Sequence, residues 1–247
     1  MVQRPPPCYY TFTETVRNLK VNAIIALAET IRQVLDVDTQ LPKDIGIDFY
    51  PEPITVLYLR VRGGYDWVNK KIVLPASDWC RKSLVHEILH SLSYFYRDER
   101  LAEKAQTDWM FVVDGLNEFF TGYVLYKTRD EYSCYDYWIE RKYTYCKISY
   151  ENYVKIFGAL ARALISLQDL KKIFFYRKDV KWQAVYAEFL EKYGLPNIFR
   201  DWPTVYNLEE AILEALKDSG RKEEADKFEA LLNEDLRFIL DYGAMIR

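Results

Sequence analysis

Cysteine is scarce and widely spaced in this chain. Its 247 residues include four cysteines, Cys8, Cys80, Cys134 and Cys146, and no two of them form a CxxC pair. That spacing excludes a structural zinc site of the knuckle type. Buried thiols are the ordinary state of such residues, while Cys134 and Cys146 flank a tyrosine-rich segment that a disulfide could close. The sequence leaves both states open.

An excess of positive charge and long apolar runs are also lacking. The 34 basic and 37 acidic residues are intermixed and leave a net charge of -3, which provides no positive field for phosphates and predicts no nucleic-acid partner. The most apolar windows, residues 21–28 and 156–167, are too short to cross a bilayer. With no apolar leader after Met1, we expect a cytoplasmic chain without a membrane span.

The N-terminal half mixes helical and strand patterns. Apolar residues recur at helical spacing from Thr13 to Leu35 (Val16, Leu19, Ala23, Leu27, Ile31, Leu35), which predicts an amphipathic first helix. The period then changes to two, and turn residues stand between short apolar runs. The predicted strands are 45–49, 57–61 and 71–74, with turns at Gly63-Gly64 and Asn69-Lys70. We expect them to form a small antiparallel sheet.

Helical spacing dominates the rest of the chain. Ser77 and Asp78 can cap a helix that carries Val85, Ile88, Leu89 and Leu92 into the core, and a second helix is predicted over 109–126. After Lys127 the pattern is helical only, with stripes at 153–167 and 228–239 and a helix from Asn207 that Gly220 ends. We therefore predict an α+β fold with two parts, a catalytic domain over 1–127 and a helical C-terminal subdomain over 128–247.

Both histidines of the chain fall in the segment His86-Glu87-Ile88-Leu89-His90. Residues four apart on a helix differ in direction by only about 40°, so the two imidazoles can converge on one ion, and zinc accepts that geometry. Glu87 lies about 100° around the helix from His86. It is the candidate general base, because it can reach a water molecule beside the metal without joining the two histidines as a ligand.

A catalytic zinc ion needs a third protein ligand, which without a further histidine must be a carboxylate or a thiolate. Glu118 lies in the otherwise apolar stretch 115–123. Burying an uncompensated carboxylate there would be costly, and a metal ion would compensate it. Glu118 is therefore the candidate third ligand.

The chain has an HExxH motif at His86 to His90 and a later segment of the form Asn-Glu-x-x-Thr-x-Tyr at Asn117 to Tyr123. This combination resembles the gluzincin clan of zinc metallopeptidases. The pattern is most similar to the minigluzincins and to the catalytic core of alanyl-aminopeptidase-like and thermolysin-like enzymes. The resemblance covers roughly Ile54 to Tyr126 and implies a zincin-like core in which an active-site helix and a glutamate helix follow the small sheet.

The resemblance implies specific roles for matching positions. His86, His90 and Glu118 would bind one Zn²⁺, Glu87 would act as base and proton shuttle, and Asn117 would support the glutamate helix. A short edge strand before the active-site helix binds the substrate backbone in gluzincins, and 71–74 occupies that place. The expected activity is hydrolysis of peptide bonds in a peptide or protein substrate.

The chain also departs from the gluzincin pattern. No histidine is left to stabilise an oxyanion, so a tyrosine must serve, and Tyr150 and Tyr153 are only placed where such a residue could return. Gly122 stands where thermolysin-like proteins have an aspartate that orients a histidine, and Asp114 could substitute for it. These departures support an alternative, a zincin-fold module that binds a peptide or protein, through its helical C-terminal half, with little or no turnover.

Overall fold

The computed structural model describes residues 9–10, 21–50, 54–56, 59–61, 63–75, 79–96, 102, 110–128, 135–140, 148–175 and 205–245. Helices make up most of the described residues, and a small three-stranded sheet accompanies them. The α+β class is therefore confirmed, whereas the zincin-like core stays a prediction. Cys8, Cys134 and Cys146 lie outside the described residues, as do Ser77, Asp78 and the first part of the predicted first helix. No helix among the described residues is both long and apolar enough to cross a bilayer.

The chain divides into two compact units that are discontinuous in sequence. The first comprises residues 1–102 and 120–149, and the second comprises 103–119 and 150–247. The sequence predicts a different division, into two continuous parts with a boundary after Lys127. That division stays a prediction.

The first unit contains all the described strands and the helix that carries both histidines. The elements are β1 (Tyr9–Tyr10), α1 (Val21–Leu35), β2 (Gly46–Tyr50), β3 (Ile54–Val56), β4 (Leu59–Val61), β5 (Gly64–Asp66), β6 (Lys71–Pro75), β7 (Trp79–Cys80), α2 (Arg81–Leu92), a 3₁₀ turn (Tyr94–Tyr96), the end of α3 (Met110–Lys127) and α4 (Tyr135–Glu140). Helix α2 packs against α1, β5, β6 and β7. The unit's core therefore surrounds α2.

The three-stranded sheet has the order β2-β6-β5, and its strands are not all antiparallel. β6 pairs in parallel with β2 and antiparallel with β5. The prediction of a purely antiparallel sheet is therefore wrong. Its basis was the spacing of apolar residues, which does not report strand direction, whereas the unbroken run Ile72-Val73-Leu74 is typical of a strand buried on both faces.

The prediction that 71–74 forms an edge strand is also wrong. β6 is the central strand, and its backbone hydrogen bonds are directed to β2 on one side and to β5 on the other. β5 was not predicted, because Gly63-Gly64 was interpreted as a turn. The turn at Asn69-Lys70 is confirmed, with the Asn69 backbone N–H donating to Asp66 Oδ1 at 3.0 Å.

Two further predictions for the first unit need correction. Ile31 and Leu35 of the predicted apolar face of α1 are buried as expected, but before them the buried residues are Ile24 and Ala28, whereas Ala23 is exposed and Leu27 is half-buried. The predicted strand 57–61 includes β4, which pairs with β3 as a separate antiparallel hairpin. The four apolar residues predicted for the core face of α2 are all buried, as expected: Val85, Ile88, Leu89 and Leu92.

The second unit is helical throughout its described residues. It comprises the first part of α3, α5 (Glu151–Ala163), α6 (Leu167–Phe175), α7 (Val205–Asp218), α8 (Lys222–Leu232), α9 (Leu236–Ile239) and a 3₁₀ turn (Tyr242–Ala244). Each predicted long stripe is divided between two helices, at Leu164–Ser166 and at Asn233–Asp235. Gly220 adopts a φ of 75°, and its N–H donates to the Lys217 carbonyl, which confirms it as the stop that follows α7.

Candidate metal centre

Helix α2 is buried along almost its whole length, which is unusual for a helix with so many polar residues. Every side chain from Lys82 to Leu92 is buried, including the polar His86, Glu87 and His90, of which 8%, 6% and 5% are exposed. Polar side chains in such a position are costly unless other groups satisfy them. The segment predicted to bind the metal is therefore part of the interior of its unit.

The two imidazoles converge as the sequence predicts. His86 Nε2 and His90 Nε2 are 3.1 Å apart, and the ring centroids are 4.8 Å apart at an interplanar angle of 79°. Two nitrogens bound to one tetrahedral zinc ion at about 2.0 to 2.1 Å would be about 3.3 Å apart. The distance also permits a hydrogen bond between the two rings. The pair thus fits one shared ion with little rearrangement.

A carboxylate completes a group that could hold a metal ion. His86, His90 and Asp114 each offer a ligand atom, and these atoms all lie within 4.8 Å of one another. The sequence pointed to Asp114 only as a substitute for a supporting aspartate. Two imidazoles with one carboxylate form a donor set that zinc accepts, although such a set does not by itself identify the metal.

The predicted ligand Glu118 is not part of this group. It lies one helical turn after Asp114 on α3 and is fully buried. The neighbouring Asn117 and Thr121 are fully buried as well, so this stretch of α3 is a polar strip inside the protein. The zinc-binding role of Glu118 stays a prediction.

Glu87 lies against the backbone just before strand β5. A Cβ placed on Gly63 would come within 2.9 Å of Glu87 Oε1 and 3.3 Å of Glu87 Cγ. The carboxylate of the predicted base therefore occupies space that a side chain at position 63 would fill. This contact could not be predicted from the sequence, because the two residues are 24 positions apart in the chain.

Two tyrosines form an aromatic frame beside the histidines. The Tyr96 ring meets the His90 ring edge to face, with centroids 5.1 Å apart, and Tyr65 meets Tyr96 in the same way at 5.8 Å. Such contacts restrict how the His90 ring can rotate. Neither residue was predicted to lie at the site, because the sequence does not distinguish them from the other tyrosines among its 21. The only signal was that Tyr96 follows the end of α2 closely.

The two tyrosines that the sequence singled out lie in the second unit or at its start. Tyr150 precedes α5 with a φ of 52°. Tyr153 is buried, and this burial raises the pKa of its phenol to about 12. A Cβ placed on Gly115 would come within 2.2 Å of Tyr153 Cβ, so Tyr153 packs directly on the backbone of α3. This packing explains the position of Tyr153 without a catalytic role.

Comparison with known proteins adds no assignment. No family model matches the chain, and no curated protein or solved structure matches it either. The resemblance to gluzincins therefore rests on the motif residues alone.

Proposed function

We propose that this chain is a zinc-dependent peptidase in which Glu87 is the general base. The observation that carries the proposal is the convergence of His86 Nε2 and His90 Nε2 to 3.1 Å on a buried helix that also holds a buried Glu87. Hydrogen bonding between the rings would pair the two Nε2 atoms, but it leaves the buried His90 Nδ1 without a hydrogen bond among the described residues.

The donor set supports zinc as the metal. His86 and His90 supply two neutral nitrogen ligands, and a carboxylate from α3, either Asp114 or Glu118, supplies the third. Three protein ligands leave a fourth position open, as catalytic zinc sites require. When bound, zinc would polarise the substrate carbonyl and make water more acidic.

Glu87 would perform the proton transfers. Its position next to His86 in sequence turns it by about 100° around the helix from His86, so its carboxylate can accept a proton from the attacking water without joining the ligand pair. It would then donate that proton to the amine that leaves when the peptide bond breaks. Hydrolysis of this kind needs no covalent intermediate with the enzyme.

The backbone of 71–74 has no part in this proposal. Since β2 and β5 occupy both sides of β6, that strand has no free edge for an extended substrate. The proposed function is therefore defined by the reaction and its general base, and no preference for particular substrate side chains follows from it.

One observation favours a second function: both histidines of the chain belong to the converging pair. No histidine is left to stabilise an oxyanion, and a protein of this design could bind a peptide or protein partner with little turnover. Its helical C-terminal half would then provide the binding surface.

Incubation with a mixed peptide library separates the two functions. Zinc-loaded protein should convert library members into shorter peptides, and chelation of zinc should abolish the conversion. Retention of intact peptides on the zinc-loaded protein, with no new termini after long incubation, would support the binding module and contradict the peptidase.

A further inference from the structure

The backbone conformation at Gly63 does not require a glycine. Among the described glycines only Gly220 has a positive φ, so the conformation at position 63 is one that other residues adopt. Strand β5 begins at the next residue, and Gly63 is part of the approach to that strand rather than the tight turn expected from the sequence. The absence of a side chain must serve another purpose.

The space beside Gly63 is filled by Glu87 and Leu74. A Cβ at position 63 would lie 2.9 Å from Glu87 Oε1, 3.2 Å from Leu74 Cδ2 and 3.3 Å from Glu87 Cγ. The first distance is shorter than a Cβ and a carboxylate oxygen tolerate, and the other two are tight. Leu74 is fully buried and has little room to move. The Glu87 side chain would therefore have to give way.

We propose that Gly63 is a positioning residue, whose missing side chain lets the Glu87 carboxylate occupy the place from which it acts as base. This inference rests on the proposed peptidase function for its consequence, but its geometric part stands independently. Both residues belong to the first compact unit. Because Oε1 is the far end of a flexible side chain, a methyl group at position 63 should displace the carboxylate and leave the fold intact.

The neighbouring glycine provides a matched control. A Cβ placed on Gly64 would meet nothing within 4 Å. Gly64→Ala therefore makes the same chemical change one residue away, with the same effect on the flexibility of the unfolded chain, and it does not touch Glu87. A general sensitivity of this segment to alanine would affect both variants equally.

The test compares kinetics of the zinc-loaded full-length variants on one peptide substrate. A displacement of about 1 Å in a reacting group can cost roughly 100-fold in rate. We expect Gly63→Ala to lower kcat by about that factor with KM and zinc content unchanged, and Gly64→Ala to stay within about twofold of wild type. In the Glu87→Asp background, whose shorter side chain avoids the methyl group, Gly63→Ala should cause little further loss.

A crystal structure of each zinc-loaded variant provides a readout that does not depend on activity. The carboxylate of Glu87 should be displaced in Gly63→Ala and unmoved in Gly64→Ala. An unmoved carboxylate in Gly63→Ala, or an equal loss of kcat in the two variants, would overturn the inference. If wild-type protein cleaves no peptide, the proposed function fails, while the two structures still decide whether Gly63 positions Glu87.

Discussion

Helices α2 and α3 carry buried carboxylates in a region where an isolated charge is destabilising. Glu87 lies on α2, and Asp114 and Glu118 lie one turn apart on α3. Ionised carboxylates keep their charge in an interior only beside cations or several hydrogen-bond donors. In the proposed function a zinc ion fulfils that requirement for one of the two residues on α3.

Asp114 and Glu118 can be distinguished by their effects on metal binding. The ligand atoms of His86, His90 and Asp114 lie within 4.8 Å of one another, so we predict that Asp114→Ala lowers zinc affinity by more than about 100-fold. Glu118→Ala, a matched truncation one turn away, should lower it by less than about tenfold. Zinc titration by calorimetry at one fixed pH measures both. The reverse order would identify Glu118 as the ligand, as the sequence predicts.

The candidate site could be predicted from the sequence only where its residues are close in the chain. His86, Glu87 and His90 share one helix, so helical geometry alone brings the two imidazoles together. Gly63, Tyr65 and Tyr96 reach the site through the packing of β5 and of the turn after α2. Their contacts depend on how these elements pack, which spacing along the chain does not encode.

At the scale of elements, α3 and α5 approach each other at a glycine. A Cβ on Gly115 would lie 2.2 Å from Tyr153 Cβ, which is attached directly to the backbone and cannot swing away. A glycine inside a helix costs about 1 kcal/mol relative to alanine, so close packing is the reason for its presence. The contact fixes the distance between these two helices within the second unit.

We predict that Gly115→Ala destabilises the protein despite its better helix propensity. Overpacking a close contact typically costs about 1 to 3 kcal/mol, which exceeds the gain in propensity. The free energy of unfolding from urea titration checks this, with Gly64→Ala, whose Cβ meets nothing within 4 Å, as the control. An increase in stability for Gly115→Ala would show that the helices separate easily.

Tyr153 predicts a dependence of stability on alkaline pH. Burial raises its pKa to about 12, above the usual value of 10.0. The unfolded chain therefore loses this proton first, so the stabilisation is fully present below about pH 10 and declines as pH rises towards about 12. By about pH 11.5 the loss should be on the order of 2 kcal/mol.

Tyr153→Phe removes the ionisable hydroxyl and keeps the aromatic ring. Unfolding free energies measured at about pH 9 and pH 11.5 should fall less for the variant than for wild type, by on the order of 2 kcal/mol. The other tyrosines contribute equally to both proteins and cancel in the comparison. Parallel losses in the two proteins would contradict an elevated pKa at Tyr153.

At the scale of the whole molecule, the sequence predicted the class of the fold better than its topology. Amphipathic spacing identified α1 and the region of α8, because one buried face per helix leaves a periodic trace. Helix α2 and residues 113–125 of α3 are instead buried on all sides. The spacing of apolar residues did not reveal strand direction, and the one sequence signal for the central place of β6 was the unbroken apolar run Ile72-Val73-Leu74. The discontinuous compact units arise because α3 contributes residues to both of them.

Peptide hydrolysis by zinc-loaded Glu87→Gln shows whether Glu87 is the general base of a zinc peptidase. Glutamine keeps the size and shape of the side chain but cannot act as a base, so the variant should bind one zinc ion as wild type does. Its kcat/KM should fall by several orders of magnitude, given that general-base catalysis alone contributes about 10²- to 10⁴-fold. Hydrolysis at the wild-type rate by this variant, with zinc bound, would show that Glu87 is not the general base.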